Sequence, residues 1–394
     1  MASRDVLLAH PVRTAIGTFN GTLKATSATD LGAIAVRETL RRSTLDPARV
    51  GSVVMGNVVQ AGNRMNPARQ AAIGGGVPVG VPALTVNRVC GSGAQAIVSA
   101  AHEVWLGHVD AVIAGGMENM DRAPYLLPSG RWGQRMGNAE IYDSMLRDGL
   151  NDAFSDEASG WHTEDLAQAF QVSREAQDRW ALRSQQRFGA AQAAGKFKAE
   201  IVPVPVPQKK GDPLNVEEDE GPKKAQLDKM PSLKPAFSKD GTVTAANASS
   251  INDGAAALVV TSADAAAKHG FPVLARIVVD SVAALEPKWF TIAPVEALRR
   301  LYAKSGSKPG DWDLYEINEA FSGVTLAAIQ EHGLDPARVN VNGGAVSLGH
   351  PIGCSGARIL VTLLHALKDR GEKRGIATLC IGGGEAVAVG VELA

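Results

Sequence analysis

Cys90 is the first side chain in the sequence whose setting suits covalent chemistry. It stands in VNRVCGSGAQAI, where an apolar strand pattern gives way to a helix pattern that opens with Gly91, Ser92 and Gly93. The partial positive charge and unpaired N–H groups of a helix start favour a thiolate, which is the nucleophilic form of cysteine. Cys90 is therefore a candidate nucleophile. The alternative is a small apolar residue at the end of a buried strand.

The other two cysteines differ in their settings. Cys380 follows a strand pattern in IATLCIGGGEAVAV and precedes three glycines, whose peptide N–H groups can point at an anion. A cysteine in an apolar strand is commonly inert core, so the local sequence leaves both roles open for Cys380. Cys354, in GHPIGCSGARI, is predicted to be structural, with its neighbouring glycines packed against a helix start.

His350 and Asn318 are the polar candidates. His350 lies between glycine-rich stretches in NVNGGAVSLGHPIGCSGA, and Pro351 fixes the backbone after it, which indicates an imidazole that must point in one direction. Asn318, in EINEAF, ends a strand pattern and opens a helix pattern in which Glu319 is expected in the first turn. It is either a helix N-cap or a group that orients a water or polarises a carbonyl.

Several motifs are absent from the sequence. HExxH, paired CxxC and acidic calcium loops do not occur, so metal catalysis has no motif support. A GxGxxG after the first strand, GxxxxGK[ST] and GxSxG are also missing, which weighs against dinucleotide binding, P-loop and serine-hydrolase functions.

The candidate residues stand at the ends of predicted strands, and an alternating set of strands and helices is predicted to hold them. Short β-branched runs alternate with helix patterns, and this order predicts βαβ units around a largely parallel sheet. Between about 119 and 248 the pattern changes to loops, helices and a proline-broken charged stretch, which predicts an insertion and no third sheet. The alternation returns from residue 251. Before the insertion, the strand patterns cover residues 5–10, 52–59 and 110–116, and the helix patterns cover 30–43 and 93–107.

The two ends of the chain resemble each other. CGSGAQAI (90–97) matches GCSGARIL (353–360), DAVIAGGMENM (110–120) matches IATLCIGGGEA (376–386), and SVVMGN (52–57) matches DLYEIN (313–318) more faintly. The offsets of 263, 266 and 261 residues differ only by short insertions, so the pairs are collinear. They predict a duplication into two similar αβ halves, with the insertion emerging from the first.

Composition narrows the function further. The 394 residues are 45% hydrophobic and 21% charged, and 40 Lys and Arg against 41 Asp and Glu leave a net charge of -1. This balance lacks the basic footprint of proteins that coat nucleic acid or anionic membranes, so a small ligand is expected. No signal peptide or membrane span is recognisable, and three widely spaced cysteines fit a reducing compartment, so the expected location is the cytoplasm.

Taken together, CGSG, NEAF, GGAVSLGHPIGCSGAR and CIGGGEA, in this order and at these distances, resemble the thiolase family of acyl-CoA C-acyltransferases. The resemblance covers essentially the whole chain. It implies an α/β thiolase fold, with two duplicated βαβαβαββ-type halves forming a five-layered α-β-α-β-α core and an inserted loop domain. The implied boundaries are 1–118 plus 249–271 for the N-terminal half, 119–248 for the loop domain and 272–394 for the C-terminal half.

Carried over by motif, the resemblance implies a role for each catalytic residue. Cys90 takes the acyl group from a CoA thioester, and His350 accepts the Cys90 proton. Cys380 acts as the acid or base for an α-proton of the second acyl-CoA. Asn318 orients a water that forms one oxyanion site with His350, and the N–H groups of Cys90 and Gly382 form the other.

The implied reaction is a ping-pong Claisen condensation of two acetyl-CoA to acetoacetyl-CoA, with the reverse thiolytic cleavage of 3-ketoacyl-CoA. The partners are acyl-CoA and free CoA, with no resident cofactor or metal, no nucleic acid and no membrane, and the assembly is a homodimer or homotetramer. Two alternatives stay open. One is a decarboxylating ketoacyl synthase, which would lack Cys380. The other is a catalytically decayed thiolase-like lipid-binding or partner protein.

The sequence departs from the family's pattern at three places. In SDEASGWHTEDLA, Ala158 and Ser159 replace a His-Met pair and His162 follows; WFTIAP (289–294) replaces Met-Gly-x-Gly-Pro; and GGGEA replaces GGGQG. Bulky aromatic residues near these places are expected to line or flank the acyl pocket and to set its chain length. The residues expected to bind CoA or to shape the pocket are Ser249, Leu150, Lys223, Trp161, Trp289 and Phe290.

Overall fold

The computed structural model describes residues 5–221 and 227–394, and its first part alternates strands and helices as predicted. Its elements in chain order are β1 (Val6–Thr14), β2 (Gly17–Thr18), α1 (Ala28–Ser43), β3 (Ser52–Gly56), α2 (Pro67–Gly74), β4 (Ala83–Val86), α3 (Ser92–Trp105) and β5 (Ala111–Asn119).

The middle segment contains short strands and two helices. They are β6 (Tyr125–Leu126), β7 (Tyr142–Asp143), α4 (Ser159–Ala169), α5 (Arg174–Ala193), β8 (Ile201–Val202), β9 (Val204–Val206) and β10 (Leu214–Val216). β6 pairs with β7, β9 pairs with β10, and β8 lies parallel to the end of β1. In the part of the segment that the structure describes, no third large sheet forms, as predicted. The boundaries at 119 and 248 stay a prediction.

The alternation resumes in the last part of the chain. The elements there are β11 (Asn252–Ser262), α6 (Ala263–His269), β12 (Ala275–Ala284), α7 (Ala293–Ser305), β13 (Leu314–Ile317), α8 (Ser322–His332), α9 (Ala345–Leu348), α10 (Ile352–Arg370), β14 (Arg374–Ile381) and β15 (Glu385–Leu393).

The two halves share one strand topology. The first half has the order β1-β11-β5-β3-β4 and the second has β12-β15-β14-β13. In each, two antiparallel pairings at one side are followed by parallel pairing at the other, so the prediction of a largely parallel sheet is wrong. A parallel bridge from Tyr315 to Val339 takes the place of β4 in the second half. β3 corresponds to β13 and α3 to α10, as the sequence matches indicate. This topology confirms the predicted duplication.

The sheets and helices stack in five layers. α1 and α2 cover the outer side of the first half, α7 and α8 cover that of the second, and α3 and α10 lie between the two sheets. The two sheets also meet at one edge, where β1 pairs with β12 through Leu7–Arg276 and Leu8–Ala275. This pairing covers two strand edges that would otherwise be open, a link that the sequence patterns did not indicate. Among the described residues, no helix is both long and apolar enough to cross a membrane.

Glycines allow the two central helices to touch at their first turns. A Cβ atom added to Gly93 would lie 2.6 Å from the backbone nitrogen of Ala357, and one added to Gly356 would lie 2.4 Å from that of Ala94. Contacts under 3.0 Å are essentially never made by real Cβ atoms, so neither glycine can be replaced without a shift. The segments that precede α3 and α10 are thereby brought together.

The replacement Gly356→Ala is expected to destabilise the fold by about 1 to 3 kcal/mol, because the added methyl group forces the central helices apart. That loss exceeds the gain of about 1 kcal/mol in helix propensity. Gly189→Ala is the matched control, since a Cβ atom there meets nothing within 4 Å, and it should stabilise by about 0.5 to 1 kcal/mol. Urea unfolding followed by circular dichroism measures both. Equal effects in the two variants would contradict the packing argument.

Candidate active site

Cys90 follows a strained turn between β4 and α3. Val89 has a φ of 42°, a left-handed conformation that a β-branched residue adopts only where its surroundings impose it. Ser92 provides this restraint, because its hydroxyl donates to the Val89 carbonyl at 2.7 Å and accepts from the Arg88 N–H at 2.9 Å. The turn therefore fixes Cys90 immediately before α3, in the strand-to-helix setting that the sequence predicts.

His350 is fixed through both its backbone and its ring. Gly349 before it has a φ of 107°, and the Asn252 side chain behind that glycine accepts from the His350 N–H at 2.9 Å. Nδ1 of His350 lies 2.5 Å from Oγ of Ser355, and that hydroxyl donates to the Pro351 carbonyl at 2.9 Å. Since a hydroxyl has one proton, Ser355 accepts from Nδ1–H. The Nε2 atom keeps its lone pair.

Two neighbouring cavities bring most of the predicted site residues together. The first, of about 300 Å³, has a mostly apolar lining. The second, of about 670 Å³, shares the lining residues 248–251 with it, so the two cavities are adjacent. The predicted residues that line the first cavity are Cys90, His350, Gly382, Ser249, Leu150 and Phe290.

Cys380 and Asn318 lie behind the surface of the first cavity. Cys380, on β14, is fully buried and packs in a cluster with Phe290 and Phe321, which line the cavity. Asn318 is fully buried after β13, and its Nδ2 atom lies 3.4 Å from each ring nitrogen of His350. The N-cap alternative for Asn318 is wrong, because α8 begins only at Ser322 and its N-cap is Phe321.

The prediction that Glu319 lies in a first helical turn is also wrong. Glu319 precedes α8, is fully buried, and accepts hydrogen bonds from the Trp180 ring N–H at 2.9 Å and the Ser184 hydroxyl at 2.8 Å. Both donors come from α5 of the middle segment. The carboxylate therefore joins that helix to the segment carrying Asn318.

A glycine turn between β14 and β15 carries Gly382. Gly383 and Gly384 have φ values of 88° and 96°, and a Cβ atom on Gly384 would lie 2.5 Å from a backbone oxygen. Glu385, where the sequence departs from the family's pattern, forms an ion pair with Arg88, at 3.4 Å between Oε2 and Nε. The turn is therefore connected to the segment that leads to Cys90.

Burial dominates the electrostatics of the site. Loss of water around the thiol raises the pKa of Cys90 to about 11, although the N–H groups of Gly382 and Cys90 itself lower it. Burial, helped by the nearby Arg358 cation, lowers the pKa of His350 to about 3. The prediction of a favoured Cys90 thiolate therefore has the wrong sign. These directions favour a neutral thiol and a neutral imidazole at neutral pH, with Cys90 partly buried and His350 almost fully buried.

Three predicted pocket residues are not among those that line the cavity. Phe290 lines the cavity, whereas Trp161 and Trp289 only flank it, each next in sequence to a lining residue. Trp161 is 42% exposed, which makes it a surface residue at the start of α4. Lys223 lies outside the described residues, so its predicted CoA contact stays a prediction.

The departure in SDEASGWHTEDLA has a structural explanation. The Ser159 hydroxyl donates to the Leu150 carbonyl at 2.6 Å, so this polar group is satisfied within the protein. The ring of His162 is buried, with Nε2 2.9 Å from the Ser155 hydroxyl oxygen. The polar side chains of this departure, Ser159 and His162, therefore connect α4 to the loop that precedes it.

The sequence patterns do not single out Glu118, yet it holds the centre of the site together. Its carboxylate accepts from the N–H groups of Val58 and Gly353, each at 2.9 Å, and from the Asn57 amide at 2.8 Å. Burial raises its pKa to about 7. Glu118 is a charged residue at the end of an apolar strand pattern, in GGMENM, and this unusual place was the signal that could have identified it. Asn252, Ser355 and Arg358 were missed in the same way.

Alkylation of Cys90 by iodoacetamide is expected to accelerate continuously from pH 7 to pH 10. A thiol with a pKa of about 11 has little thiolate at neutral pH, and each rise in pH adds more. An ordinary cysteine, with a pKa of about 8.5, would instead approach a plateau in this range. Peptide mass spectrometry follows the label, with Cys90→Ser as the unlabelled control. A plateau below pH 8 would show that burial does not raise the pKa of Cys90.

Comparisons with known proteins agree with this geometry. Residues 6–264 match the family model "Thiolase, N-terminal domain" and residues 271–393 match "Thiolase, C-terminal domain". The chain is 50% identical over 387 residues to an acetyl-CoA acetyltransferase of Pseudomonas aeruginosa, covering 98% of each chain. It is 50% identical over 389 residues to one of Cupriavidus necator, covering 98% and 99%. A crystal structure of the Bacillus anthracis acetyl-CoA acetyltransferase superposes with a TM-score of 0.97 at 42% identity, covering all of both chains.

Proposed function

The chain belongs to the thiolase family, and from this membership we propose that it is an acyl-CoA C-acyltransferase. The proposed reaction condenses two acetyl-CoA to acetoacetyl-CoA and runs in reverse as thiolysis of 3-ketoacyl-CoA. The observation that carries the proposal is one cavity lined by Cys90 and His350, with Cys380 and Asn318 buried behind it. The activity named for the bacterial relatives supports the same reaction.

In the first half-reaction, the Cys90 sulfur attacks the thioester carbonyl carbon while its proton passes to Nε2 of His350. The neutral imidazole has a lone pair for this proton, because Nδ1–H is held by Ser355. The N–H groups of Cys90 and Gly382 stabilise the oxyanion. The bond from carbon to the CoA sulfur then breaks, CoA leaves with the proton from His350, and an acyl thioester remains on Cys90.

In the second half-reaction, the Cys380 thiol loses its proton to solvent, and the resulting thiolate removes an α-proton from the second acetyl-CoA. A water oriented by Asn318, together with His350, stabilises the enolate oxygen. The carbanion attacks the acyl carbon on Cys90, a carbon–carbon bond forms and the bond to the Cys90 sulfur breaks. The proton held by Cys380 then passes to the Cys90 thiolate, and Cys380 regains a proton from solvent, so both thiols are restored.

The charge relation between the two cysteines supports this order. Burial raises the pKa of Cys380 well above its ordinary value, and a negative charge on Cys90 raises it further. An acylated Cys90 cannot ionise, so this repulsion cannot develop while Cys380 acts as the base. Two ionised cysteines are never needed at the same time.

The two adjacent cavities support an acyl-CoA substrate. Ser249 belongs to both cavities, so a chain that passes it reaches the Cys90 cavity from the wider one. Leu150 lines the narrower cavity with apolar surface suited to a pantetheine arm or acyl group. CoA enters this scheme as substrate and leaving group, with no resident cofactor.

Two alternatives from the sequence are less well supported. A decarboxylating ketoacyl synthase has no use for a second cysteine at the site, yet Cys380 packs beside the cavity. A decayed, non-catalytic protein would not need His350 held by Ser355 and Asn252 in a single tautomer and direction. The thiolase reaction uses all of these features.

The proposal extends to assembly and setting. Exposed apolar side chains lie on the edge strand β4 and α3, at Leu84 and Trp105, and in a second region at Tyr125, Trp132 and Met136. Two such regions suit the two kinds of interface in a homotetramer.

The proposed location is the cytoplasm, because the cysteines within the described ranges are free, which suits a reducing compartment. The proposed metabolic role is in fatty acid metabolism, which the cleavage of 3-ketoacyl-CoA suits.

Incubation with acetyl-CoA is expected to add one acetyl group to Cys90. The acyl-enzyme forms without the second substrate, because the first half-reaction of a ping-pong mechanism is independent of it. Intact-mass measurement followed by peptide mapping detects the adduct. Cys354→Ser is the matched control, since that buried cysteine lies on α10 outside the cavity lining, and it should acetylate normally. An adduct of equal yield on Cys90→Ser would exclude the proposed nucleophile.

Phe290→Ala is expected to raise thiolysis of five- and six-carbon 3-ketoacyl-CoA relative to acetoacetyl-CoA. The loss of a ring from the cavity lining leaves room for added methylene groups, and a mismatch of one methylene group is worth about 1 to 3 kcal/mol. We expect a relative shift of about 10-fold. Trp161→Ala is the control outside the lining and should keep the wild-type ratio. A ratio unchanged in Phe290→Ala would show that the ring only packs the core.

A further inference from the structure

Arg358 is a buried cation directly behind the candidate site. Its side chain, on α10, is 1% exposed, and Nη1 lies 3.8 Å from Oε2 of Glu316. Within the part of the chain that the structure describes, its Nε and Nη1 atoms have no hydrogen-bond partner. An unpaired charge is costly to bury. The proposed roles of the other site residues do not explain why this cation is buried.

Glu316 does not neutralise this cation fully. It is the nearby carboxylate on β13, it is almost completely buried, and Oε1 has no hydrogen-bond partner among the residues described. Burial raises its pKa to about 8 although Arg358 lowers it, and at 3.8 Å its carboxylate lies beyond hydrogen-bond distance of the guanidinium. The positive charge of Arg358 is left to act on its other neighbours.

A second polar neighbour is Asn318. Nη2 of Arg358 lies 3.5 Å from Oδ1 of Asn318. A guanidinium has only donors, so the amide atom that faces it must be the carbonyl oxygen, since an NH2 group there would oppose two donors in a buried place. The NH2 group of Asn318 is thereby turned to His350, 3.4 Å from each ring nitrogen.

We propose that Arg358 is a positioning residue that holds the Asn318 amide with its NH2 group toward the reacting atoms. The inference rests on the proposed function, in which Asn318 orients a water at the enolate oxygen. An NH2 group donates to that water and leaves both water protons free to stabilise the enolate. A flipped amide would instead accept one of those protons and weaken the oxyanion site.

A double-mutant cycle tests whether Arg358 acts through Asn318. Arg358→Met removes the charge and the donors at nearly constant length, and it should lower kcat for condensation about 10-fold to 100-fold by misplacing the amide. Isotope exchange between CoA and acetyl-CoA, which needs only acyl transfer, should fall much less. In the Asn318→Ala background, the same substitution should cause no further loss of condensation. Equal losses in both backgrounds, or in both reactions, would overturn the proposal.

Two further variants separate positioning from general destabilisation. Arg358→Lys keeps a buried group that only donates, so it should recover a substantial part of the lost kcat with little change in KM. Glu316→Gln removes the adjacent carboxyl group but leaves the contact from Arg358 to Asn318, so it should keep the wild-type ratio of condensation to exchange. If kcat for condensation in Arg358→Lys is no higher than in Arg358→Met, the proposal is overturned. If Arg358→Met does not fold, a folded Arg358→Lys without substantial condensation activity overturns it equally.

A structural readout keeps the inference separate from the proposed function. In a crystal structure of Arg358→Met, or of Arg358→Gln if the first variant is unstable, the Asn318 amide should rotate or lose its order. An Asn318 that stays in place would overturn the inference whether or not the wild type is active. Inactive wild type on acetoacetyl-CoA, with a displaced Asn318 in the variant, would overturn the proposed function alone.

Discussion

The contact between the first turns of α3 and α10 is the constraint on which the candidate site depends. Gly93 and Gly356 leave no room for a side chain where the helices meet, so the two backbones come into direct contact. Cys90 precedes one helix and His350 precedes the other, which places a nucleophile and a base from opposite halves of a duplicated chain in one cavity. Neither half contains both groups.

The same close packing sets the electrostatics. Helix starts and glycine N–H groups favour anions, but the surrounding layers exclude water strongly enough to keep the Cys90 thiol and the His350 ring neutral. A neutral pair suits proton transfer, because the thiol has a proton to give and the imidazole has a lone pair to take it. Charge then develops only during the reaction, where the oriented N–H groups can stabilise it.

How much of this could be read from the sequence depended on the range of the interaction. Cys90, His350 and Gly382 stand in motifs whose glycines and turns are local features, and the sequence placed all three at the cavity correctly. The sign of the Cys90 pKa shift was wrong, because the helix start is visible in the local sequence whereas burial comes from distant layers. The duplication was recognisable because it repeats along the chain.

Longer-range contacts were not predictable in the same way. Arg358 contacts Asn318 across 40 positions and Glu118 contacts Gly353 across 235, so nothing in either local pattern indicates the partner. Trp161 was expected to line or flank the pocket, because a large aromatic residue stands near a departure from the family pattern, and it flanks the cavity beside Gly160. Its 42% exposure at the start of α4 depends on contacts that the local sequence does not show.

The central claim is that the two cysteines divide the reaction, with Cys90 carrying the acyl group and Cys380 moving the α-proton. The most direct measurement compares two rates in Cys380→Ala: isotope exchange between CoA and acetyl-CoA, and condensation to acetoacetyl-CoA. The account predicts that exchange continues while condensation falls about 100-fold to 10000-fold, the usual range for loss of a general acid–base group. Equal loss of both rates would contradict it, because Cys380 would then be needed for acyl transfer itself.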